Sequence, residues 1–210
     1  MLDTSPGPAG LDRAASGLRE RKKARTRASL REHALRLFRE QGYSVTTIEQ
    51  IAAAAEISPA TFFRYFPTKE DVVLQDDFDV ITIEALKAQP PELSPIAAFR
   101  AAAKASLAAM TEADKDQFRE TSRLTAQVPE IRARALDEFT RTIDGIAEAL
   151  AARVGRAPDD FAVRTLAGAI IGVITSVALP GLGGDRHEDI TGLFGRIDTA
   201  LAQLEAGLPL

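Results

Sequence analysis

Between Thr46 and Pro67 the helix start and stop signals stand so close together that only two short helices fit. Glu49 follows Thr46 by three residues and Gln50 follows Thr47 by three. Either pair can form a capping box, in which the two side chains satisfy each other's free backbone N–H groups. This predicts a helix over residues 48–54. Ala55, Glu56 and Ile57 then make a tight turn. Ser58 is a strong N-cap, and Pro59 suits the first helical position, where a missing N–H costs nothing. A second helix over 59–65 follows, and Pro67 ends it. Two short helices joined by a three-residue turn are the frame of a helix-turn-helix, whose second helix presents its N-terminal residues to the major groove.

Charge supports a polyanionic partner at this end. Residues 19–69 carry 11 Lys and Arg against 5 Asp and Glu, a net +6, whereas residues 70–210 are net −9, on a chain of net −4. Arg19, Arg21, Lys22, Lys23, Arg25 and Arg27 precede the helix-turn-helix and supply cations for phosphates. Ser58, Pro59, Ala60 and Thr61 are small enough for close approach to a groove.

The remainder reads as all-α. Strand-like alternation is nowhere sustained, and alanine and leucine abound. Residues 1–18, rich in Pro, Gly, Ser and Ala, read as a flexible arm. A helix over 25–41 carries the stripe Leu30, Ala34, Leu37 and Phe38, with Gly42 at its stop. Thr68 starts another helix, reaching about residue 88. Five more are expected over 94–110, 113–127, 129–154, 158–179 and 187–206, with a loop over 180–186. The apolar run 166–182 is short and interrupted by Pro180 and glycines, so it reads as a buried core helix and no membrane association is expected. The first twenty residues lack an apolar targeting segment. The chain has no cysteine, which excludes disulfides and thiolate metal sites and suits a reducing cytoplasm.

Residues 25–78 resemble the DNA-binding domain of the TetR family. The resemblance is carried by Ala34-Leu35-Arg36-Leu37-Phe38 with Gly42-Tyr43, and by Thr46-Thr47-Ile48 through Ile51-Ala52. It continues in Ile57-Ser58, Thr61-Phe62-Phe63-Arg64-Tyr65-Phe66 and Lys69-Glu70. It implies an N-terminal three-helix DNA-binding domain over 19–68 and a larger helical bundle for ligand binding and dimerisation over 69–210. It further implies a sequence-specific regulator, a repressor released from a palindromic double-stranded operator by a small effector. On this resemblance Arg25, Arg27, Thr47, Ser58, Pro59, Ala60, Thr61, Phe63, Arg64, Tyr65 and Lys69 face DNA, with Lys69 on a phosphate at a helix N-terminus. Ile51, Ala52, Phe62 and Phe66 are core. Two positions depart from the family pattern: Glu56 stands where the turn usually has glycine, and Phe63 where tyrosine is usual.

For the bundle the resemblance implies an internal apolar pocket with a few polar groups, as ligand sites require. Candidate lining residues are Phe78, Phe99, Leu107, Phe118, Thr121, Ser122, Thr125, Phe139, Ile143 and Ile170. A narrower resemblance, over Thr61 to Asp71 and Pro129 to Arg134, is to a TetR subgroup linked to acyl-CoA-like ligands. Gly168, Gly172 and Ser176, four apart on one helix, permit close helix approach, either inside one subunit or between two; the resemblance implies a homodimer paired through the last two helices, with these residues at its interface. No catalytic constellation, cofactor motif or metal site is expected. His33 is isolated, His187-Glu188 lacks a second histidine, and Gly181, Gly183 and Gly184 lack the lysine of a phosphate loop. Two readings compete with a ligand-controlled regulator: a DNA-binding regulator without a physiological ligand, and a catalytic helical protein with a vestigial reading head.

Overall fold

A computed structural model of the chain describes residues 8–74, 78–182 and 190–208, and side chains from residue 22 onward except 179–182. Ten helices are described: α1 (Pro8–Gln41), α2 (Ile48–Ala54), α3 (Pro59–Tyr65), α4 (Asp71–Leu74), α5 (Phe78–Lys87), α6 (Pro95–Ala109), α7 (Glu112–Gln127), α8 (Pro129–Val154), α9 (Phe161–Leu182) and α10 (Ile190–Glu205). They form two units, residues 1–72 and 73–210. The boundary expected at 68/69 lies four residues early, because the chain through Val72 packs with the small unit: Arg31 Nε donates to the Val72 carbonyl at 3.1 Å.

In the small unit, α1 to α3 surround Leu30, Ala34, Leu35, Phe38, Tyr43, Ile51, Ala52, Phe62 and Phe66, all buried. Leu37 of the expected stripe is only half-buried, and Leu35 takes the buried place. Each such side chain removed from water stabilises the fold by on the order of 1.5–3 kcal/mol. The arm expected over 1–18 is helical from Pro8, so the first helix starts well before residue 25. Nothing in that stretch forbids a helix, although no apolar stripe announces one.

In the large unit, α5 packs on α6 and α8, α9 lies between α8 and α10, and α10 returns onto α6. The shared core holds Leu86, Phe99, Ala102, Ile146, Leu150, Ala167, Ile170, Leu193 and Leu201. Caps set the boundaries. Ser94 accepts from the Ala97 N–H, Thr111 forms a capping box with Asp114, and Gly155 closes α8 with φ +65°. Arg153 ties the α5–α6 connection by donating to the carbonyls of Gln89, Pro90 and Leu93.

Two expectations change here. The helix expected from residue 69 to 88 is described as α4 and α5, and residues 75–77 lie outside the described residues. α9 runs through Pro180 to Leu182 instead of stopping before the proline, which removes one donor near the helix end without ending it. The rest of the loop expected over 180–186, and His187, lie outside the described residues.

Candidate nucleic-acid interface and effector cavity

The reading head is built from its caps. Thr47, not Thr46, closes the box with Gln50: Thr47 N–H donates to Gln50 Oε1 at 2.9 Å and Gln50 N–H to Thr47 Oγ1 at 3.2 Å. Thr46 is buried and gives its hydroxyl to the Gly42 carbonyl at 2.7 Å. After α2, Ile57 N–H reaches the Ala52 carbonyl at 2.9 Å and Glu56 N–H the Ala53 carbonyl at 3.1 Å. This crossed pair places Glu56 in the left-handed region, φ +55°, the position where helices usually carry glycine. Ser58 Oγ accepts from the Thr61 N–H at 3.1 Å and lies 3.0 Å from Thr61 Oγ1. The two polar side chains at the start of α3 therefore hold each other.

The surface agrees with a groove-reading helix. Thr47, Ser58, Pro59, Ala60, Phe63 and Arg64 are exposed, and Thr61 and Tyr65 half-exposed. Phe63 keeps 51% of its surface, whereas its neighbours Phe62 and Phe66 keep none. The Phe63 ring stands edge-on to Phe62, centroids 5.7 Å apart, so one core aromatic anchors the exposed one. A hydrogen bond from Thr26, with Arg64 alongside, holds the Tyr65 hydroxyl below the usual tyrosine range. Arg25 is exposed, and Arg27 lies over the Phe66 ring at 5.3 Å. Lys69 differs from the expectation of an available phosphate ligand. Its ammonium donates to the carbonyls of Tyr43 at 2.9 Å and Thr46 at 3.1 Å. It follows Pro67 in a turn preceding α4, where Thr68 and Asp71 cap each other.

The large unit encloses a cavity of about 180 Å³ between α5, α6, α7, α8, α9 and α10. Of the expected lining residues, Phe78, Phe99, Phe118, Ser122 and Phe139 are on its wall. Phe78, Phe118 and Phe194 form a triangle of rings with centroids 5.4–5.8 Å apart. The other expected residues lie elsewhere. Thr121 and Thr125 spend their hydroxyls on the carbonyls of Phe118 and Thr121 in their own helix. Ile170 is fully buried in the core, Ile143 packs against it, and their chain neighbours Ile171 and Thr142 face the cavity instead. Leu107 lines a second cavity of about 210 Å³ between α6 and α10, beside the Arg100–Asp198 and Lys104–Asp198 ion pairs at 2.8 and 2.9 Å. Sequence reading missed Asp79, Thr82, Thr142 and Phe194. No signal in the sequence singled out Asp79, since Asp76 and Asp77 stand just before it and Glu84 closes the run Phe78-Asp79-Val80-Ile81-Thr82-Ile83. Ile81, two residues after Asp79 on α5, is 51% exposed.

α9 is apolar yet poorly covered. Its stretch Phe161–Ala178 has mean hydropathy 1.8, long and apolar enough by length and composition to cross a membrane, but only 17% of it is buried. The expectation of a buried core helix therefore fails for most of its surface. A Cβ added at Gly168 or Gly172 would meet nothing within 4 Å, and Ser176 is exposed.

The chain thus combines a three-helix unit of the helix-turn-helix class with a helical bundle that holds a cavity. Residues 30–75 match the tetR family of bacterial regulatory proteins, and residues 93–209 match the MftR C-terminal domain. The chain is 36% identical over 151 residues to the HTH-type transcriptional regulator TcmR of Streptomyces glaucescens, covering 69% of this chain and 67% of that protein. It is 27% identical over 159 residues, 74% of this chain and 79% of the relative, to the Mycobacterium tuberculosis (strain H37Rv) regulator MftR, whose name ties it to mycofactocin biosynthesis. The structure is similar to that of the TetR-type repressor FadR of Thermus thermophilus, solved with lauroyl-CoA, with TM-score 0.56 and 28% identity over 88% of this chain and 95% of that one. The chain belongs to the TetR family, and it is a DNA-binding transcriptional regulator.

Proposed function

We propose that this chain is a homodimeric cytoplasmic repressor, released from a palindromic operator when a small apolar or acyl-type molecule enters the large-unit cavity. The observation that carries this is the phenylalanine-walled cavity within a TetR-family bundle. The likeness to a repressor solved with lauroyl-CoA favours an acyl-type effector. On this reading the exposed face of α3, with Thr47, Arg25 and Arg27, meets DNA. Two copies pair through the bare face of α9, since an apolar helix with open glycines calls for a closely fitting partner. Half-sites then lie about 34–36 Å apart, one helical turn.

The cavity and the reading head are linked along the chain: Lys69 precedes Phe78 by nine residues. A coupling of about 1–3 kcal/mol weakens operator binding roughly 5- to 150-fold. The test is an operator-binding titration against acyl-CoAs and a broad apolar library, read alongside thermal stability. A compound that raises stability should lower operator affinity, and Ser122→Trp, on the cavity wall, should remove both effects. If no compound does either, the regulator without a ligand is the better reading.

A further inference from the structure

Among the described residues the cavity wall carries one ionisable group. Asp79 sits among apolar and hydroxyl-bearing residues, and no cation pairs with it among the described residues. Its Oδ2 accepts from the Thr142 hydroxyl at 2.9 Å. Three residues on, along the same face of α5, Thr82 is buried, and its hydroxyl has no hydrogen-bond partner among the described residues. A buried hydroxyl without a partner is uncommon in native structures and calls for an explanation. Here an orphaned buried hydroxyl and a carboxylate on the exposed side of the cavity share one wall, and both can accept. Desolvation pushes the Asp79 carboxyl above the usual carboxylate range, and the Thr142 bond only partly opposes this. The rings of Phe78, Phe118 and Phe194 beside it offer flat apolar contact and a negative face to a cation.

We propose that the effector carries a hydrogen-bond-donating group, an amine or a hydroxyl, on its apolar body, received by Asp79 and Thr82, and that a carboxylate in this position is rejected. This rests on the effector-cavity reading and narrows its ligand class: the apolar part fills the phenylalanine wall, and the donor end satisfies α5. An anionic end would meet the like charge of Asp79 at the cavity wall.

The test uses the full-length protein and three probes on one skeleton: phenylbutylamine, phenylbutanol and phenylbutyrate, measured by calorimetry at neutral pH. The amine or the alcohol should bind at least tenfold more tightly than the carboxylate, the leader of the two telling a charged donor from a neutral one. Asp79→Asn should level the three, and Thr82→Val should weaken the donor-bearing probes while keeping their rank. Phenylbutyrate binding as well as the others, or an unchanged ranking in Asp79→Asn, overturns the proposal and leaves the cavity reading standing. Binding of none of the three overturns both.

Discussion

Lys69 holds its ammonium 4.0 Å from the centre of the Tyr43 ring while donating to the Tyr43 carbonyl. The same residue that resembles a phosphate ligand thus clamps the α1–α2 connection. Lys69→Ala should cost about 1–3 kcal/mol of stability, from charge-assisted hydrogen bonds and a cation–π contact. It should also weaken DNA binding evenly across sequences with a flatter salt dependence. Denaturation and salt-titrated binding separate the two roles: stability unchanged with affinity lost would leave only the phosphate role.

Glu56→Gly should stabilise the protein. A side chain in the left-handed region costs roughly 1–2 kcal/mol, offset in part by the greater entropy glycine loses on folding, so a net gain of about 0.5–1 kcal/mol is expected. Removing its negative charge beside the reading helix should also tighten DNA binding. Calorimetry and operator titration check both, and a melting temperature that falls would show that the turn draws on the Glu56 side chain.

Asp79→Asn should raise the melting temperature of the ligand-free protein only slightly at pH 8, because the side chain is exposed and water screens much of its charge. The folded pKa of Asp79 is raised, so its ionised form weighs against folding above that pKa. The difference should shrink as pH falls through the folded pKa and vanish near the unfolded value of about 3.9, where the carboxyl is protonated in both states. A gain that grows toward acid pH would contradict this sign.

Gly172→Leu should leave the single chain folded, since its Cβ meets open space. It should weaken self-association at least tenfold, about 1.4 kcal/mol. Sedimentation across a concentration series reads the outcome. A variant as dimeric as the parent would move the interface off this face of α9.

Ser58→Ala should remove the cap of α3 and the partner of Thr61 together, costing about 1 kcal/mol. Thr61→Val, which keeps the cap, should change base preference instead. Selection of binding sites from random DNA distinguishes the two.

What could be read beforehand follows from where information is local. Thr47, Ser58 and Ser94 hold the N–H three residues on, and Pro59 and Pro129 fix their own backbone at a helix start, so helix starts are written in short stretches of chain. The choice between Thr46 and Thr47 is not, because burial of Thr46 against Gly42 decides it. The cavity is a still longer-range property. A one-residue turn of α9 puts Ile171, not Ile170, on the wall, and no periodicity within a nearly all-apolar helix can distinguish the two. Asp79 follows Asp76 and Asp77 closely and does not stand out in the sequence; its pairing with Thr142, sixty-three residues away, shows only in the fold.

Because Gly168 and Gly172 leave α9 bare in the single chain, folding on the dimer reading draws on concentration as well as sequence. Stability held in a subunit interface rises with the amount of protein by mass action. A regulator made in few copies per cell would then be sensitive to its own abundance. Dilution below the dissociation constant of the pair would empty both half-sites together, and transcription would respond to copy number even with the cavity empty.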